Sequence, residues 1–444
     1  MKIDLRELKN TAIDNPVYLW YSNFNYDMRG GKEYIKKTVF LLFMNIAVAQ
    51  SGGPTSAINA SLAGVYLEAV ESGKFNKIYG SLNGIEGIIK QNLIELSEYL
   101  KTPEDVDLLI HTPSTVLGSC RYKIPEENAG EVYEKILGCF RKYDIGVFFY
   151  IGGNDSMDTV MKLSEYFEKN NITDIKVIGV PKTIDNDLCG TDHSPGFGSA
   201  SKYVNATVQE IARDSRVYSV DSVTIIEIMG RHAGWLTAST CCLRANGETA
   251  PHFIYLPEVP FNVDKFVEDV KKVQKEHKAV IVAVSEGVKL ENSHQYRSGK
   301  TDAFGHQYLS GIGKYLENII SDTLKCKVRS IELNVMQRCS SHIASKTDID
   351  ESVEIGRCAV KTALAGNTGC MMCYVRDSSE PYSIHIESVP VSQTANHEKY
   401  FPMEWINSEG NNISNEAIKY FLPLIQGEVH QKMKNGMPVH FVIK

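Results

Sequence analysis

The stretch V-I-G-V-P-K-T-I-D-N-D, residues 177–187, decides how the rest of the chain is read. An apolar strand runs into Pro181, which fixes φ, keeps Val180 extended and predicts that the strand ends there. Lys182, Thr183, Asp185 and Asp187 follow at once. The two aspartates are two residues apart, the wrong spacing for one helix face but suited to a loop that points one carboxylate inward and the other across it. Two readings stay open on these residues alone. In one, the turn serves chemistry in which a hydroxyl loses its proton beside a multiply charged phosphate held on Mg²⁺. In the other, it is an Asx-type turn whose carboxylates cap their own backbone.

Working outward, the same plan of strand, glycine turn and helix recurs on both sides. Upstream, residues 46–50 read as a buried strand, 51–56 as a turn and 57–70 as a helix with an apolar stripe; 144–151 is a near-continuous apolar run of the kind expected for a central parallel strand. It feeds Gly152 and Gly153, possible caps at Asn154 to Ser156, and a helix to 167. Between them, 112–123 is a polar loop carrying Arg121 and Lys123. Downstream, 189–203 is a glycine-rich entry to a helix ending near Arg213, and 223–228 is a strand that delivers Met229, Gly230, Arg231 and His232. Glu286 closes the strand 279–287, Arg329 and Arg338 bracket another, helices cover 312–319 and 353–364, and 371–375 is a further strand. Residues 396–427 read as mostly helical, with Asn412 or Ser414 as the cap. The recurrence over 45–375 predicts an α/β fold of two doubly wound, Rossmann-like parallel-sheet domains, with the active site in the cleft between them at the carboxyl ends of the strands.

Composition sets limits on partners. The 444 residues exceed the length at which one core usually keeps growing. Net charge is −7 without long like-charge blocks, which gives no broad footprint for a nucleic acid, so an anionic substrate needs a local basic pocket. No apolar run approaches bilayer length and no export signal opens the chain, so no membrane association and a cytoplasmic location are expected. Ten cysteines in a chain this long do not make a disulfide framework; Cys370 and Cys373 have C-x-x-C spacing but no second ligand pair. Gly52 and Gly53 could free backbone N–H groups for phosphate oxygens or form an ordinary turn. Neither G-x-G-x-x-G nor G-x-x-x-x-G-K-[ST] is present, which weighs against a nicotinamide dehydrogenase.

The stretches S-G-G-P (51–54), G-S-C-R (118–121), G-G-N-D-S (152–156), P-K-T-I-D-N-D (181–187), P-G-F-G-S-A (195–200), M-G-R (229–231), S-E-G (285–287) and Q-R (337–338) together resemble the phosphofructokinases in content and order. The resemblance implies phosphoryl transfer to the 1-hydroxyl of fructose 6-phosphate with Mg²⁺. By position it makes Asp185 the base, with Lys182, Thr183 and Arg231 beside it in catalysis. Gly52, Gly53, Arg121, Gly153, Asn154, Asp155 and Ser156 would line the donor. Thr183, Asp185, Met229, Gly230, Arg231, Glu286, Arg329 and Arg338 would hold the sugar phosphate, Arg329 often across a subunit interface, and Asn154 and Asp187 would face the metal. It also implies a phosphoryl-donor domain of residues 45–195 plus 338–390 and a sugar-phosphate domain of 196–337, between an N-terminal extension (1–44) and a mostly helical segment (391–444), in a homodimer or homotetramer.

Donor choice rests on two positions. ATP-using members have small residues where this chain has Asp155 and Lys182; a carboxylate at 155 would oppose an ATP α-phosphate, and a lysine at 182 suits pyrophosphate. Both resemble the pyrophosphate-dependent branch. The alternatives are an ATP-dependent phosphofructokinase and, from another class, a catalytically silent regulatory or assembly subunit on the same fold. The chain also departs from the family pattern: Asn154 replaces an aspartate near the metal, and Ser222 and Val335 replace sugar-phosphate contacts, so either Lys314, Tyr315 or Tyr308 takes over those roles or the sugar specificity has changed.

Overall fold

The computed structural model describes residues 44–127, 129–291 and 311–443. The extension 1–44, apart from Met44, and Tyr308 lie outside the described residues. The strands that position the site are β1 (Met44–Gln50), β2 (Phe75–Ser81), β3 (Leu93–Glu95), β4 (Ile145–Gly152), β5 (Lys176–Pro181), β6 (Ser222–Ile228), β7 (Phe253–Tyr255), β8 (Ala279–Ser285), β9 (Lys327–Glu332), β10 (Cys370–Ser379) and β11 (Tyr382–Pro390). Two sheets result, ordered β11-β10-β5-β4-β1-β2-β3 and β7-β8-β6-β9. In the first, β5, β4, β1 and β2 are parallel, β10 joins parallel through Cys370 and Met371, and β3 and β11 are antiparallel edges. The second is parallel throughout.

The reason for this layering is legible in the strands. β4 is buried along its whole length, so its residues need apolar cover on both faces. Helices α1 (Ile58–Ser72), α2 (Ala129–Lys142), α3 (Asn154–Lys169) and α5 (Lys346–Leu364) supply most of that cover, while α4 (Phe197–Ser215) lies on the second sheet. Val48, Phe149, Ile178 and Val180 pack with α1 and α5, whereas Ala49, Phe148, Tyr150 and Val177 pack on the other face with α2 and α3. The second sheet repeats the scheme: Ile226, Ile228, Ile281 and Ala283 meet α4, and Val223, Ile225, Val280 and Val282 meet the helices Val263–Gln274 and Ile312–Thr323.

Helices α1 and α5 cross backbone to backbone. A Cβ on Gly64 would stand 2.0 Å from the Val353 carbonyl oxygen, and one on Gly356 would stand 2.2 Å from that of Ser61. Glycine is required at both positions by close approach alone. The crossing carries the chain back from the second sheet to the first, so that both sheets open toward the same turn.

Three local expectations are corrected. The strand expected between Arg329 and Arg338 ends at Glu332; Asn334 turns the chain at φ 45° and Arg338 stands on the helical turn Met336–Cys339. The strand at 371–375 extends to Ser379 and folds back as β11. Residues 391–443 are not mostly helical: the α-helix described there is Glu416–Phe421, joined by short 3₁₀ turns at Val391–Gln393, Met403–Trp405 and Leu422–Ile425. Its N-cap is Asn415, while Asn412 donates to the His252 carbonyl at 3.0 Å. The Asn407 side-chain oxygen accepts from the backbone N–H groups of Asn411 and Asn412, an alternative to helix that asparagine clusters offer the backbone.

Candidate active site

Because β5, β4 and β1 are adjacent and parallel, their carboxyl ends bring three loops together. Ser51 N–H donates to the Ile151 carbonyl at 2.9 Å and Lys182 N–H to the Gly152 carbonyl at 2.9 Å. The Lys182 ammonium then reaches across to the Gly53 carbonyl at 2.7 Å, and the lysine is almost fully buried. Gly52 has φ 77°, and a Cβ there would stand 3.1 Å from the Lys182 Nζ, so a side chain at 52 would crowd the ammonium as well as strain the turn. The loop 118–121 closes the same edge, Ser119 Oγ donating to the Gly52 carbonyl at 2.7 Å.

The second sheet supplies the opposite wall. Ile228 and Ser285 are opposed in register, so Met229 to Arg231 and Glu286 emerge together. Ser285 Oγ donates to the Gly230 carbonyl at 2.6 Å, and Glu286 N–H to the Ile228 carbonyl at 2.9 Å. Met229 N–H donates to the side-chain oxygen of Gln337, a buried residue the sequence reading passed over although it stands beside Arg338. Arg338 in turn approaches Gly53, its Nη1 lying 3.1 Å from where a Cβ there would be.

Charge accumulates at this junction. Burial raises the pKa of Asp185, against the pull of Lys182, Arg231 and Arg338. Burial, then the Asp185 charge, pushes Asp187 up to about 7, and the same two causes push Glu286 up to about 7 against Arg231. Burial brings Lys182 down to about 8 in spite of both aspartates. Crowded, half-buried carboxylates facing several cations are poised to take a proton near neutral pH and to hold a polyanion. The turn also caps itself: Thr183 Oγ1 accepts from the Asp185 N–H at 3.0 Å. The capping feature of the Asx-type reading is therefore present, and it is carried by the threonine.

Other candidates lie at the rim of this cluster or away from it. Asp155 is paired with Lys123 of the loop 112–123 at 2.9 Å. Asn154 does not cap its helix, whose N-cap is Gly153 with no side-chain bond. Its Nδ2 donates to the His397 carbonyl at 2.6 Å and its Oδ1 accepts from the Asn396 N–H at 2.6 Å, so its amide clips the segment 396–397. Ser156 is buried against Gly152, and Arg121 is exposed at the loop edge. Arg329 is not brought to the cluster: it lies within β9 opposite Thr224, with its guanidinium 3.6 Å from the Asp214 carboxylate. Ser222 begins β6, at the end opposite the cleft. Of the suggested substitutes, Lys314 is paired with Glu317 at 2.7 Å and Tyr315 packs against the core.

Sequence reasoning missed the strap 396–401. Its Lys399 N–H donates to the Asp187 carbonyl at 2.8 Å, Glu398 holds the His232 ring at 2.7 Å, and Trp235 Nε1 donates to the Lys399 carbonyl at 2.9 Å. It thereby touches α3, the turn 182–188 and the second sheet's loop. No motif marks it; Lys399 is one of 47 basic residues in the chain.

Two α/β sheets thus present glycine loops, the buried Lys182 ammonium and crowded carboxylates at a common strand end, an arrangement of the kind that holds phosphate groups. The phosphofructokinase family profile matches residues 45–363, and the chain belongs to the phosphofructokinase family. It is 38% identical over 400 residues to the pyrophosphate–fructose 6-phosphate 1-phosphotransferase of Halomonas elongata, covering 89% of this chain and 94% of that one. The protein of the same description from Methylococcus capsulatus is 36% identical over 400 residues, with the same coverage. The crystal structure of the pyrophosphate-dependent phosphofructokinase from Marinobacter aquaeolei superposes with a TM-score of 0.80 at 38% identity, covering 89% of this chain and 95% of that one. Among the described residues no helix is long and apolar enough to cross a membrane.

Proposed function

We propose that this chain transfers a phosphoryl group reversibly from pyrophosphate to the 1-hydroxyl of fructose 6-phosphate, giving fructose 1,6-bisphosphate and phosphate. The observation that carries the reading is Lys182: a buried ammonium held against Gly53 beside Asp185, Arg231 and Arg338. Asp185 takes the proton of the sugar hydroxyl as its oxygen attacks the terminal phosphorus in line; the bridging P–O bond breaks and phosphate leaves. Lys182, Arg231 and Arg338 neutralise the oxygens on which charge develops. Met229, Gly230 and Glu286 form the sugar-phosphate wall, and the loops at Gly52, Gly53, Arg121 and Gly153 form the donor wall.

Among the described residues no group of three or more His, Cys, Asp or Glu side chains is set to hold a metal ion. The two crowded aspartates, each held above its ordinary pKa, nevertheless suit a divalent cation that the donor oxygens help to ligate. Asp187 would hold Mg²⁺, whose chemistry would be to shield charge on the diphosphate while Asp185 serves as the base. Asn154, already engaged by the strap, would contribute at most a remaining lone pair. Arg329 fits the resemblance only if it reaches the sugar phosphate of a second chain, which makes the working form a homodimer or homotetramer.

A ³¹P spectrum of purified protein with fructose 6-phosphate, Mg²⁺ and pyrophosphate tests the reading. The pyrophosphate resonance should give way to phosphate and a second sugar ester, and fructose 1,6-bisphosphate with phosphate should regenerate pyrophosphate. Unchanged spectra in both directions would reject it.

A further inference from the structure

Behind the turn lies a buried network that the chemistry above does not use. His193 is 1% exposed; its Nδ1 lies 2.8 Å from Asp192 Oδ2 and its Nε2 lies 2.8 Å from Glu351 Oε2. The Arg376 guanidinium donates to the same Asp192 oxygen at 2.9 and 3.1 Å, and the Tyr382 hydroxyl donates to Glu351 Oε1 at 2.7 Å. Tyr374 stacks on the imidazole at 4.5 Å, and the buried Asp348 carboxylate adds its field while accepting from the N–H groups of Gly196 and Ser199. These groups come from the loop before α4, from α5 and from the β10–β11 hairpin, which are far apart in sequence.

The same network is bonded to the turn. The Tyr420 hydroxyl donates to the Asp192 carbonyl at 2.6 Å and accepts from Asn186 Nδ2 at 3.0 Å. Asn186 is fully buried with φ 55°, so its side chain must be held for that backbone conformation to persist. The Lys399 ammonium donates to the carbonyls of Asp192 and Thr191 at 2.8 and 3.1 Å, while its own N–H holds the Asp187 carbonyl at 2.8 Å. Thr183 N–H donates to the Pro195 carbonyl at 3.2 Å. The backbone on both sides of Asp185 is therefore tied to residues 191–195, and His193 is the centre of that segment's anchorage.

We propose that His193, clamped between Asp192 and Glu351 and braced by Arg376, is a positioning residue that fixes the turn carrying Asp185. The inference rests on the reading of Asp185 as the base. Both ring nitrogens face carboxylate oxygens, and only a doubly protonated ring can donate to both. With that proton the cluster of Asp192, Glu351, His193 and Arg376 is neutral in sum; without it, a ring lone pair faces a buried carboxylate at hydrogen-bonding distance. Burial by itself pulls the imidazole down, and the two carboxylates together more than reverse it, leaving the His193 pKa above its ordinary value.

The test uses the full chain in three forms, wild type, His193→Gln and Tyr420→Phe, with Asp185→Asn in parallel. Positioning acts on the transition state, so His193→Gln should lower kcat by about tenfold or more with both KM values within about threefold, and Tyr420→Phe should lower kcat by about threefold to tenfold. In ¹⁵N-histidine spectra of the wild type at pH 7, the resonances lost in His193→Gln should be two protonated ring nitrogens, since both face carboxylate oxygens. Wild-type kcat in both folded variants, alongside an inactive Asp185→Asn, would overturn the positioning role and leave the proposed reaction standing. An unprotonated His193 nitrogen at pH 7 would overturn it even if His193→Gln failed to fold. An active Asp185→Asn would remove the base, and the proposal with it.

Discussion

The two sides of the turn 182–187 are built on opposite electrostatic principles. On the cleft side, burial holds Asp185 above its ordinary pKa, burial and repulsion from Asp185 do the same for Asp187 and Glu286, and burial holds Lys182 below its own. On the buried side, Asp192, His193, Glu351 and Arg376 pair at 2.8 to 3.1 Å. Charges left mutually crowded are stabilised when a ligand of the right charge arrives; charges already paired are stabilised when the chain folds. The cleft side therefore serves binding and chemistry, and the buried side serves rigidity. Replacements on the cleft side should cost activity without stability, and those on the buried side should cost stability along with kcat.

The largest effect should come from Asp185→Asn, which keeps the shape and removes the base: kcat should fall by about 10³-fold or more with little change in unfolding midpoint. Next, Lys182→Met should lower kcat with pyrophosphate by about 10²-fold to 10³-fold, since a multiply charged donor loses a charge-assisted partner. The same variant should be no less stable in urea, because a buried ammonium opposes folding. On the other side, Arg376→Met strips a cation from a buried carboxylate and should destabilise the chain by about 3 kcal/mol in urea titration.

A pH series sharpens the contrast further. The His193 pKa is raised on folding, so its contribution to stability is fully present below the ordinary imidazole value of about 6.5 and is lost as pH rises through the raised one. The difference in urea midpoint between wild type and His193→Gln should accordingly be widest near pH 6 and narrow toward pH 9. The smallest effect belongs to the half-exposed Lys123–Asp155 pair: Lys123→Ala should change stability by less than about 1 kcal/mol.

What could be read from the sequence divides along the same line. Strand 145–152 announced itself because a central parallel strand must be apolar on both faces, and the glycine loops, Lys182, Asp185 and Arg231 follow strand ends where periodicity breaks, whereas Arg338 stands on a helical turn beyond its strand. The buried side was not legible. His193, Glu351, Arg376 and Lys399 are spread over a span of about 200 residues of the chain, and nothing local marks Glu351, Arg376 and Lys399 as partners of one buried site. The contact of α1 with α5 was likewise hidden, because Gly64 and Gly356 acquire meaning only when the two helices meet. Arg329 shows the converse: a position within a matching motif was legible, but its place in β9 beside Asp214 is set by strand register.

The grip of the buried Lys182 and its neighbours on an inorganic donor is the step on which the proposed reaction turns. It is tested most directly by initial rates of fructose 1,6-bisphosphate formation with Mg²⁺ and either pyrophosphate or ATP, for wild type and Lys182→Met side by side. The account predicts turnover with pyrophosphate that collapses in the variant, and none with ATP. Turnover with ATP alone, or undiminished pyrophosphate turnover without the lysine, would contradict it.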